Sequence, residues 1–272
     1  MAKEATRLLV ELRKNIAILF INFKYNLAKE MENRSSFILQ IIFMVVNNSL
    51  FILQWIVFFS LKPTIGGYNF DNILILWALS ATSFGISHVF FENVYYIPEL
   101  ISNGNIDSYI TQPVNVLWNI SVSKTKPSAF GDVLYGIILA IISIGPDFKK
   151  LLLFMMFSCS GAIILTSFSI LAASLTFWLK RGEEIAHNLA FSIRIASVYP
   201  EGIFNNLIKI VLYTIVPVGF IVYFPVKIIL NFNFISMLFL ILLALSFALI
   251  AFYVFNRGLK QYSSSNLISV KI

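Results

Sequence analysis

A histidine and two carboxylates stand at spacings that could do chemistry inside an apolar part of this sequence. His88 and Glu92 are four residues apart, so a helix would place both on one face. Asp132 follows in a later apolar run, and the three side chains could meet near the inner face of a membrane. Imidazole and carboxylate groups are the usual general acids and bases. A membrane-embedded enzyme is therefore one alternative, although no nucleophile motif accompanies these residues.

Glu183 and His187 form a second pair at the same spacing, within the polar stretch 180–202. His187 has no ligand-like spacing to His88, which disfavours a metal site built from the two histidines. A solvated surface helix explains the stretch more simply. We therefore predict no catalytic residue, no metal site and no bound cofactor on this chain.

The composition is that of a membrane protein with little soluble mass. Of 272 residues, 58% are hydrophobic and 12% are charged, whereas soluble domains have about 25% charged residues. The net charge of +7 reports orientation in such a chain, so we predict no nucleic-acid partner. The single cysteine, Cys159, excludes an internal disulfide.

Apolar runs predict an all-α, polytopic membrane protein with six transmembrane helices. The runs cover residues 35–61, 72–91, 129–144, 151–179, 203–226 and 232–255. Residues 1–34 mix basic and apolar positions, which predicts an amphipathic helix on the membrane surface. The transmembrane domain would then be 35–256, followed by a cytoplasmic tail, 257–272.

The positions of Lys and Arg predict that both termini are cytoplasmic. With that orientation, fifteen of these residues lie in inner segments and four in outer loops, as the positive-inside rule requires. The long polar loops, 92–128 and 180–202, would then both face the cytoplasm.

Two positions predict a break in the fifth run. Pro217 removes a backbone hydrogen bond and Gly219 loosens the same turn. We expect a kink in the outer half of the membrane there, which makes Pro217 and Gly219 a candidate gate.

The first long polar loop contains a short helix with its own start and stop signals. Pro98 suits a first helical turn, and Gly104 can end the helix in a left-handed conformation. Between them, residues 99–103 read as amphipathic, and Pro113 blocks continuation. Such a helix either docks on a partner protein or rests on lipid.

The sequence contains no motif by which this chain would itself bind ATP through a phosphate loop. No G-x-x-x-x-G-K-[ST] phosphate loop occurs in it. Few ionisable residues lie within the apolar runs, which disfavours a proton-coupled secondary transporter, the other alternative. Energy for uphill transport would thus enter from another subunit through the cytoplasmic loops.

Three motifs resemble a bacterial family of type-2 ABC transporter permeases with six spans. Residues 100–113, LISNGNIDSYITQP, resemble the I-x-x-G-x-L/I-D-x-x-L-x-x-P-V segment of that family. Residues 197–200 with 216–220 and Pro225 are similar to its fifth-span pattern. Residues 257–265 are similar to its G-L-x-x-Y-x-S-x-S ending. The resemblance runs from about residue 15 to 265.

The resemblance implies a non-catalytic exporter subunit in the bacterial plasma membrane. Such permeases pair with a second copy or a sister permease, and two separate ATPase subunits carry the ATP and magnesium. The first cytoplasmic loop supplies a coupling helix that sits in a groove of the ATPase. The coupling residues would be Glu99, Leu100, Ile101, Ser102, Asn103, Gly104 and Asp107.

Overall fold

The structure is a computed structural model that describes residues 2–263, and the regular structure in that range is helical apart from one isolated bridge, Ile65 to Tyr68. The prediction of an all-α fold is confirmed. The α-helices are α1 (Ala2–Glu30), α2 (Arg34–Leu61), α3 (Phe70–Phe91), α4 (Ile97–Ser102), α5 (Asp107–Ile110), α6 (Val116–Ser121), α7 (Ser128–Ile144), α8 (Phe148–Ser174), α9 (Gly182–Ala196), α10 (Asn206–Thr214), α11 (Phe224–Leu230) and α12 (Phe234–Leu259).

Short polar side chains start most of the long helices. Each accepts a hydrogen bond from a backbone N–H in the first turn, which would otherwise lack a partner. These capping residues are Asn33, Asn69, Asp147, Asn205 and Asn233.

Within residues 2–263, four helices are long and apolar enough to cross a membrane, or five if the bent pair α10 and α11 counts as one span. They confirm a polytopic membrane fold. The apolar α7 has 17 residues and falls just below the length that defines those four. The total of six spans stays a prediction.

The core is built around α3, which is buried along most of its length between α7 and α8. Glycines let these helices approach closely. A Cβ on Gly136 of α7 would collide with Thr82, and one on Gly161 of α8 would collide with Ser83. Both partners lie on α3, so small residues on its neighbours set the spacing of the bundle.

We call the two ends of the bundle the loop end and the basic end. The loop end contains the connection 62–69 and the turn 145–147. The basic end contains Arg34, Lys124 and Lys126. The helix α1 lies at the basic end, where Asn26 Nδ2 donates to the Val122 carbonyl at 3.2 Å. The predicted N-terminal helix is thus present, and its position on a membrane surface stays a prediction.

The polar stretch after α8 runs the length of the bundle. It starts at the basic end, where Gly182 packs on the turn that follows α8. Ser80 Oγ donates to Ser197 Oγ at 3.1 Å, halfway along α3. The backbone of Gly202 then packs directly against Gly66 at the loop end. The predicted surface loop on one side of the membrane is therefore wrong for this stretch.

The predicted fifth span, 203–226, is sharply bent, and the segment starts and finishes at the same end of the bundle. α10 begins at the loop end, just after the Gly202 contact, and α11 is bent by 83° relative to it. The tip reaches the middle of the bundle, where the Ile221 carbonyl approaches Gly161. The chain then returns to the loop end, where Lys227 Nζ lies 2.6 Å from Glu201 Oε2. Residues 206–230 form a hairpin with both ends at the loop end, which we call the re-entrant hairpin.

The predicted break at Pro217 is confirmed. α10 ends at Thr214, and a π-helix, Gly219–Tyr223, connects the bend to α11. A proline cannot donate a backbone hydrogen bond, so it favours a break in the helix at this point. Sequence reasoning predicted the break but also predicted that the chain continues across the bundle. In the structure the chain bends at the break and returns to the loop end.

Candidate functional site

The short helix α4 forms at the basic end as its sequence predicts. Pro98 lies in its first turn. Gly104 follows the helix with φ +73°, a conformation that costs most other residues about 1–2 kcal/mol. Both signals read from the sequence therefore have the expected structural role.

One face of α4 is anchored in the bundle. Ile97 and Ile101 are buried in a cluster with Ile170 of α8 and Phe255 of α12, and Leu100 is half-buried against it. Sequence reasoning assigned Leu100 and Ile101 to a partner surface. In the structure Ile101 is covered by this chain, so that residue is not free to contact a partner.

The opposite face of the segment is polar and exposed. Ser102 and Asn103 are exposed at the end of α4, as are Asn105 and Ser108 beyond it. Asp107 is half-buried at the start of α5. A segment with one buried apolar face and one exposed polar face can transmit a contact at the surface to the helices beneath it.

Glu99 connects α4 to α9. Its Oε1 lies 3.3 Å from His187 Nε2, whereas sequence spacing paired His187 with Glu183. Ligand atoms of Glu99, Glu183 and His187 lie within 4.8 Å of one another, the one such group in the part of the chain that the structure describes. The three side chains could hold a cation, but all are partly or fully exposed, and such groups are common without an ion.

The pair predicted from the sequence, His88 of α3 and Glu92 just after that helix, also forms. His88 Nδ1 lies 2.5 Å from Glu92 Oε2, and both side chains are buried. Asn48 of α2 donates to Asp132 Oδ1 at 2.7 Å. Polar groups buried in a bundle require such partners, because an unpaired one costs several kcal/mol. Asp132 and His88 line one cavity, whereas Glu92 lines another, so the structure brings two of these three groups to the same cavity.

That cavity has a volume of about 380 Å³ and lies between α2, α3, α7 and α9. Its walls are largely apolar and aromatic, and Lys126 and Arg194 are its cations. Exposed residues of α2 and α9, including Asn47 and Ile195, form its opening. We call it the apolar cavity.

A second cavity of about 290 Å³ adjoins it at the basic end, and we call it the polar cavity. Lys126 lines both cavities, and the His88–Glu92 pair lies between them, with His88 on one side and Glu92 on the other. Its remaining lining is mainly polar: Asn26, Lys29, Glu30, Tyr96, Ser123, Lys124, Thr125 and Pro127.

Sequence reasoning missed the cavity residues Trp77, Lys126 and Arg194 as a group. Arg194 stood out only as one charge in a moderately apolar run, and Lys126 as a loop cation. The packing of α9 against the bundle brings Arg194 to a cavity that α3 also lines, and the positive-inside count does not record that packing. An arginine in the middle of NLAFSIRIASVYP is the one signal that pointed to it.

The predicted gate residues lie in the re-entrant hairpin. A Cβ on Gly219 would collide with the Tyr213 ring, so α10 and the π-helix pack closely there. Tyr223 Oη donates to the Ala196 carbonyl at 2.6 Å and joins the hairpin to the end of α9. At the loop end, burial and the Glu201 carboxylate raise the pKa of Tyr68 to about 12, so this phenol stays neutral.

Comparison with known proteins agrees with this architecture. No curated protein and no solved structure matches the chain significantly. Residues 43–266 match the family described as ABC-2 family transporter protein. That range covers α3 to α12 and most of α2. The chain therefore belongs to the ABC-2 transporter family, whose members are the membrane subunits of transport systems.

Proposed function

We propose that this chain is the permease subunit of an ATP-driven exporter and that residues 97–107 couple it to a separate ATPase. The observation that carries the proposal is that this segment has one buried apolar face and one exposed polar face. Ile97 and Ile101 are fixed in the bundle, while Ser102 and Asn103 are exposed. A partner that contacts the exposed side therefore acts on helices that reach across the bundle.

The segment has two routes into the bundle. Its buried isoleucines contact the cluster of α8 and α12, and Glu99 contacts His187 at the start of α9. Closure of the ATPase around ATP would push α4 and move α9 against α3 and the re-entrant hairpin. A rigid-body change of this kind requires that the partner bind the two states with different affinity.

The topology proposed from the contacts has six crossings: α2, α3, α7, α8, α9 together with residues 197–202, and α12. The count agrees with the sequence prediction, although α9 replaces residues 203–226 as the fifth crossing. The basic end faces the cytoplasm by the positive-inside rule, in the plasma membrane of a bacterium. The re-entrant hairpin lies at the outer side, where Pro217 and Gly219 serve as an outer gate.

The partners follow from the surfaces that remain. ATP and magnesium bind to the ATPase, and this chain supplies no catalytic group. The outward sides of α2 and α12 are apolar, with exposed residues such as Phe43, Leu50 and Leu249. Membrane lipid and a second permease, either a copy of this chain or a sister chain, would cover these surfaces.

One observation favours the second candidate, a secondary transporter. His88 and Glu92 are buried in the bundle and Asp132 is half-buried, and ionisable groups at such positions serve proton-coupled carriers. The pairing of Glu92 with His88 and of Asp132 with Asn48 gives each carboxylate a structural role instead.

Purification from the native membrane after cross-linking tests the proposal. The expected product contains a chain with a phosphate loop, and vesicles with both chains hydrolyse ATP. Ser102→Trp should lower both association and hydrolysis severalfold, while Thr64→Trp, equally exposed at the loop end, should not. A chain that carries out transport driven by a proton gradient without any ATPase would overturn the proposal in favour of the secondary transporter.

A further inference from the structure

The two adjoining cavities differ in the polarity of their linings, and Lys126 lines both of them. The apolar cavity offers aromatic and aliphatic walls from Phe51, Trp77 and Phe84. The polar cavity lies at the basic end, the level at which lipid head groups meet the cytoplasm in the proposed topology. A ligand that occupies both cavities would need a polar head and an apolar chain. The volume of the apolar cavity, about 380 Å³, lies within the usual range of small-molecule sites.

The charges of the cavities favour an anionic head. Four cations line them: Lys29, Lys124, Lys126 and Arg194. Among the described residues, none of these four forms an ion pair with a carboxylate. Two of the three carboxylates are already occupied, Glu92 by His88 and Asp132 by Asn48. Lys124 lies over the Tyr96 ring, 4.1 Å from its centroid. Four cations against three carboxylates leave the combined lining with a net positive charge, which favours an anionic group.

Two polar atoms in the wall of the apolar cavity lack protein partners. Trp77 Nε1 and His88 Nε2 are buried without a hydrogen bond to any described residue, and both side chains line the cavity. Trp77 is 4% exposed and His88 is 5% exposed. Most buried polar groups in proteins have a partner, so His88 Nε2, in the wall between the two cavities, is placed to hydrogen-bond with the polar head of a ligand.

We propose that the two cavities form one binding site for an amphiphile with a carboxylate or phosphate head group. The head lies in the polar cavity between Lys29, Lys124 and Lys126, and the chain extends past His88 into the apolar cavity toward Trp77. Arg194 lies at the opening between α2 and α9. This inference rests on the proposed transport function and adds the chemical class of the substrate.

Quenching of Trp77 fluorescence tests the site directly in the purified full-length chain in a neutral detergent. The probe is 9,10-dibromostearate, whose bromines quench only an indole that they contact, and its methyl ester is the neutral comparison. Saturable quenching by the acid is expected, and Trp77→Phe should remove the saturable part. Lys126→Gln and Arg194→Gln should each weaken binding about tenfold, the effect of losing one charge-assisted contact. Lys126→Arg should retain it.

Lys149→Gln is the matched control, since Lys149 is exposed at the loop end and should not affect binding. Equal quenching by the acid and the ester, or full binding in a folded Lys126→Gln variant, overturns the proposal. The assay contains no ATPase, so its failure is separate from that of the proposed function. If binding is absent while the ATPase still associates, only the amphiphile site is wrong. If binding is present but no ATPase associates with the chain, the site stands and the coupling proposal falls.

Discussion

Glu99 Oε1 lies 3.3 Å from His187 Nε2, across the boundary between α4 and α9. These residues are far apart in the sequence, and each belongs to a different polar stretch. Their contact makes α4 and the start of α9 one unit at the basic end. Since α9 and residues 197–202 after it lead to the loop end, a displacement of α4 has a direct route through the bundle.

The first prediction concerns this contact. Glu99→Cys with His187→Cys, in a Cys159→Ser background, should be joined by a short bismaleimide. Once joined, the two helices move together, and ATP hydrolysis that depends on the permease should change severalfold. The adduct is read by gel mobility after proteolysis between the two sites. Glu99→Cys with Thr64→Cys is the control and should give no adduct; its equal cross-linking would contradict the contact.

The second prediction concerns topology. Ile203→Cys should react with a membrane-impermeant maleimide in intact cells, as Thr64→Cys does, because the backbone next to Ile203 packs against Gly66. Glu184→Cys, exposed in the first turn of α9, should react only after permeabilisation. Cysteine labelling at Ile203 only in permeabilised cells would restore the surface-loop prediction and remove α9 as a crossing.

The third prediction concerns the buried amide of α2. Asn48→Leu leaves the Asp132 carboxylate without its donor and should lower the free energy of unfolding by about 1–3 kcal/mol. Its neighbour Asn47 is exposed, so Asn47→Leu should change the free energy of unfolding by less than about 0.5 kcal/mol. Unfolding in mixed detergent measures both. Asn48→Leu with Asp132→Leu should recover part of the loss, and equal effects of the two single changes would refute the pairing.

The fourth prediction concerns the re-entrant hairpin. Gly219→Val drives a side chain into the Tyr213 ring and should cost about 1–3 kcal/mol through overpacking. Pro217→Ala adds no bulk, so it should alter transport more than thermal stability. Ile215→Val, at an exposed position of the same hairpin, is the control for both readouts. If Pro217→Ala leaves transport at the wild-type level, the hairpin is not the gate.

Local signals in the sequence were sufficient to predict several features of the structure. Pro98 and Gly104 bound the short helix because proline and glycine act on their own turn. His88 and Glu92 meet because four residues make about one helical turn. Pro217 breaks its helix for the same local reason.

The path of α9 could not be read in this way. Its first turns carry Glu183, Glu184 and His187, so its hydropathy resembles that of a surface helix. The structure places His187 beside Glu99 and Arg194 in the wall of the apolar cavity, and these partners come from other segments. The Glu201–Lys227 ion pair, which brings the hairpin back to the loop end, likewise joins residues that sequence windows treat separately.

The role of residues 97–107 is the central claim, and a photo-cross-linker at Asn103 tests it most directly. p-Benzoyl-phenylalanine at Asn103, exposed at the end of α4, should form an adduct with a chain that contains a phosphate loop when cells are irradiated. The same group at Thr64 should not, since Thr64 lies at the loop end. The account predicts an adduct from Asn103 alone, with a yield that changes when ATP is depleted. Adducts from Asn103 with lipid only would contradict it and leave α4 as a helix that rests on the membrane.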